Sequence, residues 1–290
     1  MLDIIKKLLK KSFSSVLSVY GTVELIVDDN FLITNINLLI TYLIDDSSEL
    51  SLSSSVFSLT KIIFLLFLFL ARFIYLKRKL IEKNSVKFSI NGFPVTIENY
   101  DIFNCYNCKR VIAFDECYTS TVGDNPEDIK ISSICGQYLS QNPNLDMRKL
   151  IEQNNIHPET SLSLYQQKIK FKSGTIVPYG DDFLLAFTPL DKLGRSCITR
   201  DEYIQSLFVL WEQINIYDSD MDLCLPLLGA GVTCFDGCDG RKLSPTELLE
   251  NILLTYKLTT KKLNRNNTLR IVIKDKEIYN QLIEEIVNYI

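Results

Sequence analysis

Histidine is almost missing from this chain: of 290 residues only His157 carries an imidazole. That excludes a metal site built on several histidines, and a Cys–His catalytic pair has nothing beyond this one residue to support it. His157 precedes Pro158 in a polar stretch and reads as an exposed loop residue. A basic excess is missing as well. The 31 Lys and Arg stand against 35 Asp and Glu, giving a formal charge of -4. Nucleic-acid binding needs a concentrated positive face, so it is excluded as a main role. No internal repeat is present, and the one biased stretch is serine-rich, residues 47–58. The first hundred residues hold no cysteine, and all eight lie from Cys105 to Cys238. Thiols scattered through a full-size domain read as reduced cytosolic cysteines, not as a disulfide scaffold.

What is present is unevenly placed. The apolar excess sits in the first eighty residues, where 62–71 is an unbroken apolar run. Extended to 56–76 it is long enough, at about 1.5 Å per residue, to cross about 30 Å of hydrocarbon. Lys61 and Arg72 interrupt the span but are long enough to snorkel. Lys77, Arg78, Lys79 and Lys83 follow it, which directs this end to the cytosol. A second basic cluster, Lys6 to Lys11, lies before an acidic middle that includes Asp28, Asp29, Asp45 and Asp46. Basic ends around an acidic centre suit a helical hairpin with its first span within 12–44. A single span preceded by an amphipathic segment is the alternative. The expected organisation is a membrane anchor over 1–84 and a cytosolic domain over 85–290.

Beyond residue 85 the pattern alternates. Strand-like runs fall at 86–90, 94–98, 110–114, 170–177, 183–187, 222–226 and 269–273, and helical runs near 126–139, 199–215, 244–256 and 275–289. Thr199 with Glu202, and Ser244-Pro245 with Glu247, are capping boxes that fix two helix starts. Such alternation predicts an α/β domain with a mixed sheet and helices on both faces. Ligands of such sheets bind beyond the carboxyl ends of the strands.

Two features point to a ligand. After the predicted strand 222–226 comes Leu228-Gly229-Ala230-Gly231-Val232-Thr233, a glycine loop whose successive N–H groups suit a diphosphate. A tight turn with no ligand has the same local signature. Earlier, Asp101-Ile102 follows a predicted strand and a short turn, where a carboxylate can accept a hydrogen bond from an adenine amino group or simply cap the turn. Trp211, in line with Ile204, Leu207 and Phe208, reads as core packing. Arg195 sits in a loop, as a phosphate contact or as a solvated charge.

In this order the pieces resemble a macro domain, a three-layer α/β/α fold. They are most similar to the macro-domain membrane effectors of Thoeris-type bacterial antiphage defence. The resemblance rests on Tyr100-Asp101-Ile102-Phe103, on residues 111–116, on Ser133-Ile134-Cys135-Gly136 and on the glycine loop. Tyr100 stands where macro domains usually have glycine. The resemblance implies that Asp101 and Ile102 read an adenine, that Leu228 to Thr233 wrap a diphosphate, and that Asp115 and Glu116 lie near the distal ribose. It implies a ligand derived from ADP-ribose, histidine-conjugated ADP-ribose being the proposed form, supplied by a TIR-domain partner. Sensing would then drive homo-oligomer assembly and damage to the bacterial inner membrane. No cofactor and no metal are expected.

Hydrolytic macro domains use an asparagine-rich first loop. Here that stretch is Phe114-Asp115-Glu116-Cys117-Tyr118, without asparagine. Binding without turnover is therefore expected, against the alternative of a membrane-tethered ADP-ribosyl hydrolase or NAD-processing enzyme. A protein-binding scaffold is a third reading. Cys105-x2-Cys108 and Cys234-x3-Cys238 invite a zinc reading, but the second spacing is loose and these are read as unmetallated thiols.

Overall fold

The structure is a computed structural model, and it describes residues 84–123, 125, 128–217, 221–235, 242–259, 263 and 266–288, with 66–76 and positions 12 and 14 before them. The chain divides into two compact units, Met1–Lys83 with Val287–Ile290, and Asn84–Ile286. In the first, residues 66–76 are helical, and the rings of Phe69 and Phe73 stack 6.3 Å apart, one helical turn from each other. Among the described residues no helix is long and apolar enough to cross a membrane. Residues 56–65 of the expected span, and nearly all of the candidate first span, lie outside the described residues.

The second unit is built on a seven-stranded sheet. Its strands are β1 (Ser85–Ile90), β2 (Phe93–Glu98), β3 (Cys108–Asp115), β4 (Ile176–Tyr179), β5 (Asp182–Thr188), β7 (Asp222–Pro226) and β9 (Leu269–Val272), in the order β1-β2-β9-β7-β3-β5-β4. β6 (Cys197–Ile198) and β8 (Cys234–Phe235) form a separate parallel pair. The five central strands run parallel, and β1 and β4 close the edges antiparallel. A parallel sheet is buried on both faces, and β5 is buried at every one of its seven residues.

Five helices cover it: α1 (Ile134–Gln141), α2 (Met147–Gln153), α3 (Arg200–Ile216), α4 (Pro245–Leu258) and α5 (Lys276–Asn288). Alternation along β3 and β5 decides which residue meets which layer. Ile112, Phe114, Leu184 and Ala186 join Tyr138, Leu139, Met147 and Leu150 of α1 and α2 in one core. Phe187 turns to the other face, where its ring meets Tyr203 of α3 at 5.7 Å. On that side the Trp211 indole N–H of α3 donates to Thr255 Oγ1 of α4 at 3.0 Å, and its ring meets Tyr256 at 5.2 Å. The tryptophan is core packing, as its helical face predicts. Both capping boxes form, at Thr199 with Glu202 and at Ser244 with Glu247.

Several expectations need correction. The strand run 170–177 is a strand only from Ile176, because residues 170–175 form a loop whose Phe171 and Gly174 bond to Glu116 and Ala186. The helix expected near 126–139 begins at Ile134, where Ser133 supplies the cap that fixes the start. The short helix α2 and the β6–β8 pair carry too little periodicity to be seen. Cys197 is disulfide-bonded, so the thiols are not all reduced; Cys105, Cys108, Cys117, Cys135, Cys224 and Cys234 are free.

Candidate functional site

The carboxyl ends of the parallel strands meet one cavity of about 550 Å³. Asp115 ends β3, Thr188 ends β5, Pro226 ends β7, Val272 ends β9, and Ile273 and Lys274 follow it; all line it. Its size lies within the range of about 300–1,000 Å³ found for small-molecule sites. Its position is the one expected of an open parallel sheet.

The glycine loop forms one wall. Leu228, Gly229, Ala230, Gly231, Val232 and Thr233 all line the cavity. The loop is held from both sides: the Tyr203 hydroxyl donates to the Leu228 carbonyl at 3.1 Å, Lys242 Nζ to the Gly231 carbonyl at 2.9 Å, and β8 takes over at Cys234. The two glycines serve different ends. Gly229 has φ +85, and a Cβ there would meet Leu248 and Phe235 at 3.1 Å. Gly231 has no such constraint, and a Cβ would meet nothing within 4 Å. The backbone N–H groups of Gly229, Gly231, Val232 and Thr233 find no protein acceptor among the described residues. Donors left without partners at a cavity wall are what an anionic group requires.

Two helix starts face the same space. Ser133 caps α1, accepting from Gly136 N–H at 3.0 Å and donating to the Lys130 carbonyl at 2.7 Å, and Ser133, Ile134 and Cys135 line the cavity. Gly136 lets this turn close, since a Cβ there would lie 2.2 Å from the Lys130 carbonyl oxygen. A neutral serine cap adds no charge of its own against the positive end of the helix dipole. At α5 the opposite holds: Asp275 accepts from Glu277 N–H at 2.8 Å and Ile278 N–H at 3.1 Å, so a carboxylate already neutralises that end. Of the two helix starts, only that of α1 lacks a capping carboxylate.

The expected acidic residues part company. Asp115 lines the cavity but is committed: its Oδ1 accepts from Cys117 N–H at 2.8 Å and Thr119 N–H at 3.2 Å, tying the loop after β3 into a tight turn. Burial pushes its carboxyl pKa up, partly offset by those hydrogen bonds. Glu116 is buried, does not line the cavity, and accepts from Ser163 Oγ and from Leu190 N–H at 3.2 Å. Its backbone bonds to Thr188 and Phe171 at 2.8 Å each, which makes it a clip between loops.

Asp101 and Ile102 stand beside the cavity, not in its wall. Asp101 caps the 3₁₀ turn Ile102–Asn104 by accepting from Phe103 N–H at 3.1 Å, and its other oxygen pairs with Lys274 at 2.7 Å. Lys274 itself lines the cavity, and Ile102 packs its side chain into the core. The rim also carries Arg195, whose guanidinium is held by Asp191 at 2.7 Å, and Lys130. Sequence reasoning did not select Ser133, Thr188, Lys130 or Lys274 as site residues. The serine cap three residues before Gly136 was the one signal available; the two lysines are ordinary surface charges until the fold brings them to one rim. His157 lies in an exposed loop away from the cavity.

Comparison with known proteins bears on this geometry. Among solved structures, an Oceanobacillus iheyensis macrodomain with ADP aligns at TM-score 0.39 and 12% identity, covering 71% of this chain and 98% of that one. A mutant of the same macrodomain with ADPR aligns at TM-score 0.41 and 12% identity, covering 70% and 99%. The Thoeris protein ThsA of Bacillus amyloliquefaciens (strain Y2) is 27% identical over 194 residues. That stretch is 62% of this chain and 62% of the relative, so the chain spans less than two thirds of the relative's length. Residues 95–274, more than half of the chain, match the family described as Thoeris protein ThsA, Macro domain, and the chain belongs to that family.

Proposed function

We propose that the domain binds an ADP-ribose-type nucleotide and acts as the sensing part of an antiphage-defence effector. One observation carries this reading: unpaired N–H groups of the glycine loop and the serine-capped start of α1 line one cavity at the strand ends. The diphosphate lies between them. Asp101 and the Ile102 N–H take the adenine edge, the carboxylate accepting from the amino group, and Lys274 exchanges its partner for a phosphate or solvent. Membership of the family of Thoeris ThsA macro domains supports the ligand class.

The ligand is held and not turned over. Asp115 has Oδ1 tied to two backbone N–H groups, and Glu116 is buried among protein donors off the cavity wall, which supports holding over turnover. The signal is a histidine-ADP-ribose-like product of a TIR-domain partner. The chain is tethered to the inner membrane through residues 56–76, with its macro domain in the cytoplasm, and binding drives homo-oligomers that breach the bilayer. The apolar run and the basic residues after it support that placement. The test is calorimetric titration of the full chain with ADP-ribose, AMP and inorganic pyrophosphate, with product analysis alongside. ADP-ribose should bind more tightly than either fragment and emerge intact. Equal affinity for all three would defeat the reading, and release of nicotinamide from NAD or of ADP-ribose from modified protein would favour the enzyme.

A further inference from the structure

The fold regroups the cysteines in a way their spacing does not announce. Cys105, Cys108 and Cys224 bring their sulfurs within 4.8 Å of one another, all three buried, although Cys224 lies 116 residues after Cys108. Cys234, the other half of the loose sequence pair, lies instead on β8 at the cavity wall. We propose that Cys105, Cys108 and Cys224 form a three-thiolate site for a thiophilic metal ion, Zn²⁺ and Cu(I) being the common members of that class.

Geometry supports the site. A metal–sulfur bond of about 2.3 Å sets sulfurs about 3.8 Å apart around a tetrahedral ion and about 4.0 Å apart around a trigonal one. The observed group brackets this, with Cys108 and Cys224 sulfurs at 3.3 Å and all pairs within 4.8 Å. The chain bends at Asn107, φ +54, between Cys105 and the second sulfur at Cys108. Asparagine tolerates that conformation, and the C-x2-C spacing is that of a metal-binding knuckle. Tyr106 at its tip is 74% exposed, so the turn carrying two of the sulfurs lies at the protein surface.

The charge environment agrees. Parallel pairing sets Arg110 of β3 and Arg270 of β9 on either side of Cys224. Paired residues of neighbouring strands share a face at about 4.8 Å, so guanidinium groups flank the thiolates. Glu98 and Asp182 hold those groups in place, at 2.9 and 2.7 Å. Among the described residues no fourth cysteine, histidine or carboxylate joins the group, which leaves one position open on a four-coordinate ion and suits a three-coordinate soft ion directly. An ion here would tie the turn after Asp101 to β7, the strand that leads into the glycine loop. Binding of a metal deprotonates the three thiols and releases their protons to solvent; no oxidation state changes.

The experiment loads the reduced full chain with Zn²⁺, Cu(I) or Cd²⁺, the last as a spectroscopic probe. It follows the thiolate-to-cadmium charge-transfer absorption and counts metal by elemental analysis after gel filtration. The expected result is saturation at one ion per chain, lost in Cys224→Ser and in Cys105→Ser and retained in Cys135→Ser. Cys105 lies in a loop, so its variant tests the site even where the core substitution unfolds β7. Retention of Zn²⁺ or of Cu(I) assigns the natural ion. Absence of the absorption in the parent chain, or its survival in Cys105→Ser, overturns the proposal. Nucleotide titration is a separate measurement, so failure of the metal site leaves the pocket reading to be judged by its own result.

Discussion

Replacing Gly229 by alanine tests why the glycine loop has its shape. The backbone there sits at φ +85, where an L side chain costs about 1–2 kcal/mol. The new methyl would lie 3.1 Å from both Leu248 Cδ2 and Phe235 Cζ, and the Phe235 ring is fully buried with little room to retreat. Mild overpacking of that kind adds about 1 kcal/mol, for a total of about 2–3 kcal/mol. A domain of this size loses about 2–4 °C of melting temperature per kcal/mol, so Gly229→Ala should melt about 4–12 °C lower. Gly231→Ala is the internal control. Its φ is not in the left-handed region and its Cβ meets open space, so it should melt at the parent temperature or slightly above it. Thermal unfolding followed by near-ultraviolet circular dichroism measures both. Equal losses in the two variants, or no loss in Gly229→Ala, would refute the division of labour between the glycines.

Other outcomes follow from the same structure. Asp101→Ala should weaken ADP-ribose binding by about 1–3 kcal/mol in calorimetry, through loss of a hydrogen bond to a charged acceptor. Glu98→Ala leaves Arg270 unpaired between β2 and β9 and should cost about 3 kcal/mol in chemical denaturation, since both side chains are under one-fifth exposed. Ser244→Ala removes the cap of α4 and should cost about 1 kcal/mol. Hydrogen bonds from the Ser244 backbone and side chain, and Arg200, hold the Glu247 carboxyl below the usual carboxylate range. A lowered pKa adds stability at neutral pH that is lost as pH falls through the folded value, so denaturation at acid pH should show a smaller pH dependence in Ser244→Ala.

The parts legible in the sequence were those with a local signature. The two capping boxes are written in four residues each, and β7 is bounded by Asp222 and Pro226 as its apolar run suggests. The glycine loop needed only its two glycines after a strand. What stayed hidden depends on distant pairing. The resemblance implies Glu116 near the ligand, yet Ser163 and Leu190, both far along the chain, draw it inward. The loop at 170–175 looks like the start of a strand because Phe171 alternates with Lys170 and Lys172 ahead of Ile176 and Val177, but its hydrogen bonds go to Glu116 and Ala186 instead of to a ladder. The cysteine trio joins Cys108 to Cys224, 116 residues further on, and no spacing rule reaches that far.

The central claim is that a diphosphate-bearing nucleotide sits against the glycine loop. Calorimetric titration of ADP-ribose into the full chain and into Gly231→Glu tests it most directly, because the Cβ of residue 231 meets open space and the substitution leaves the fold intact. The account predicts saturable one-to-one binding to the parent. It predicts loss of that binding in Gly231→Glu, with an unchanged melting temperature, as the new carboxylate repels the diphosphate. Undiminished binding by a folded Gly231→Glu chain would contradict it.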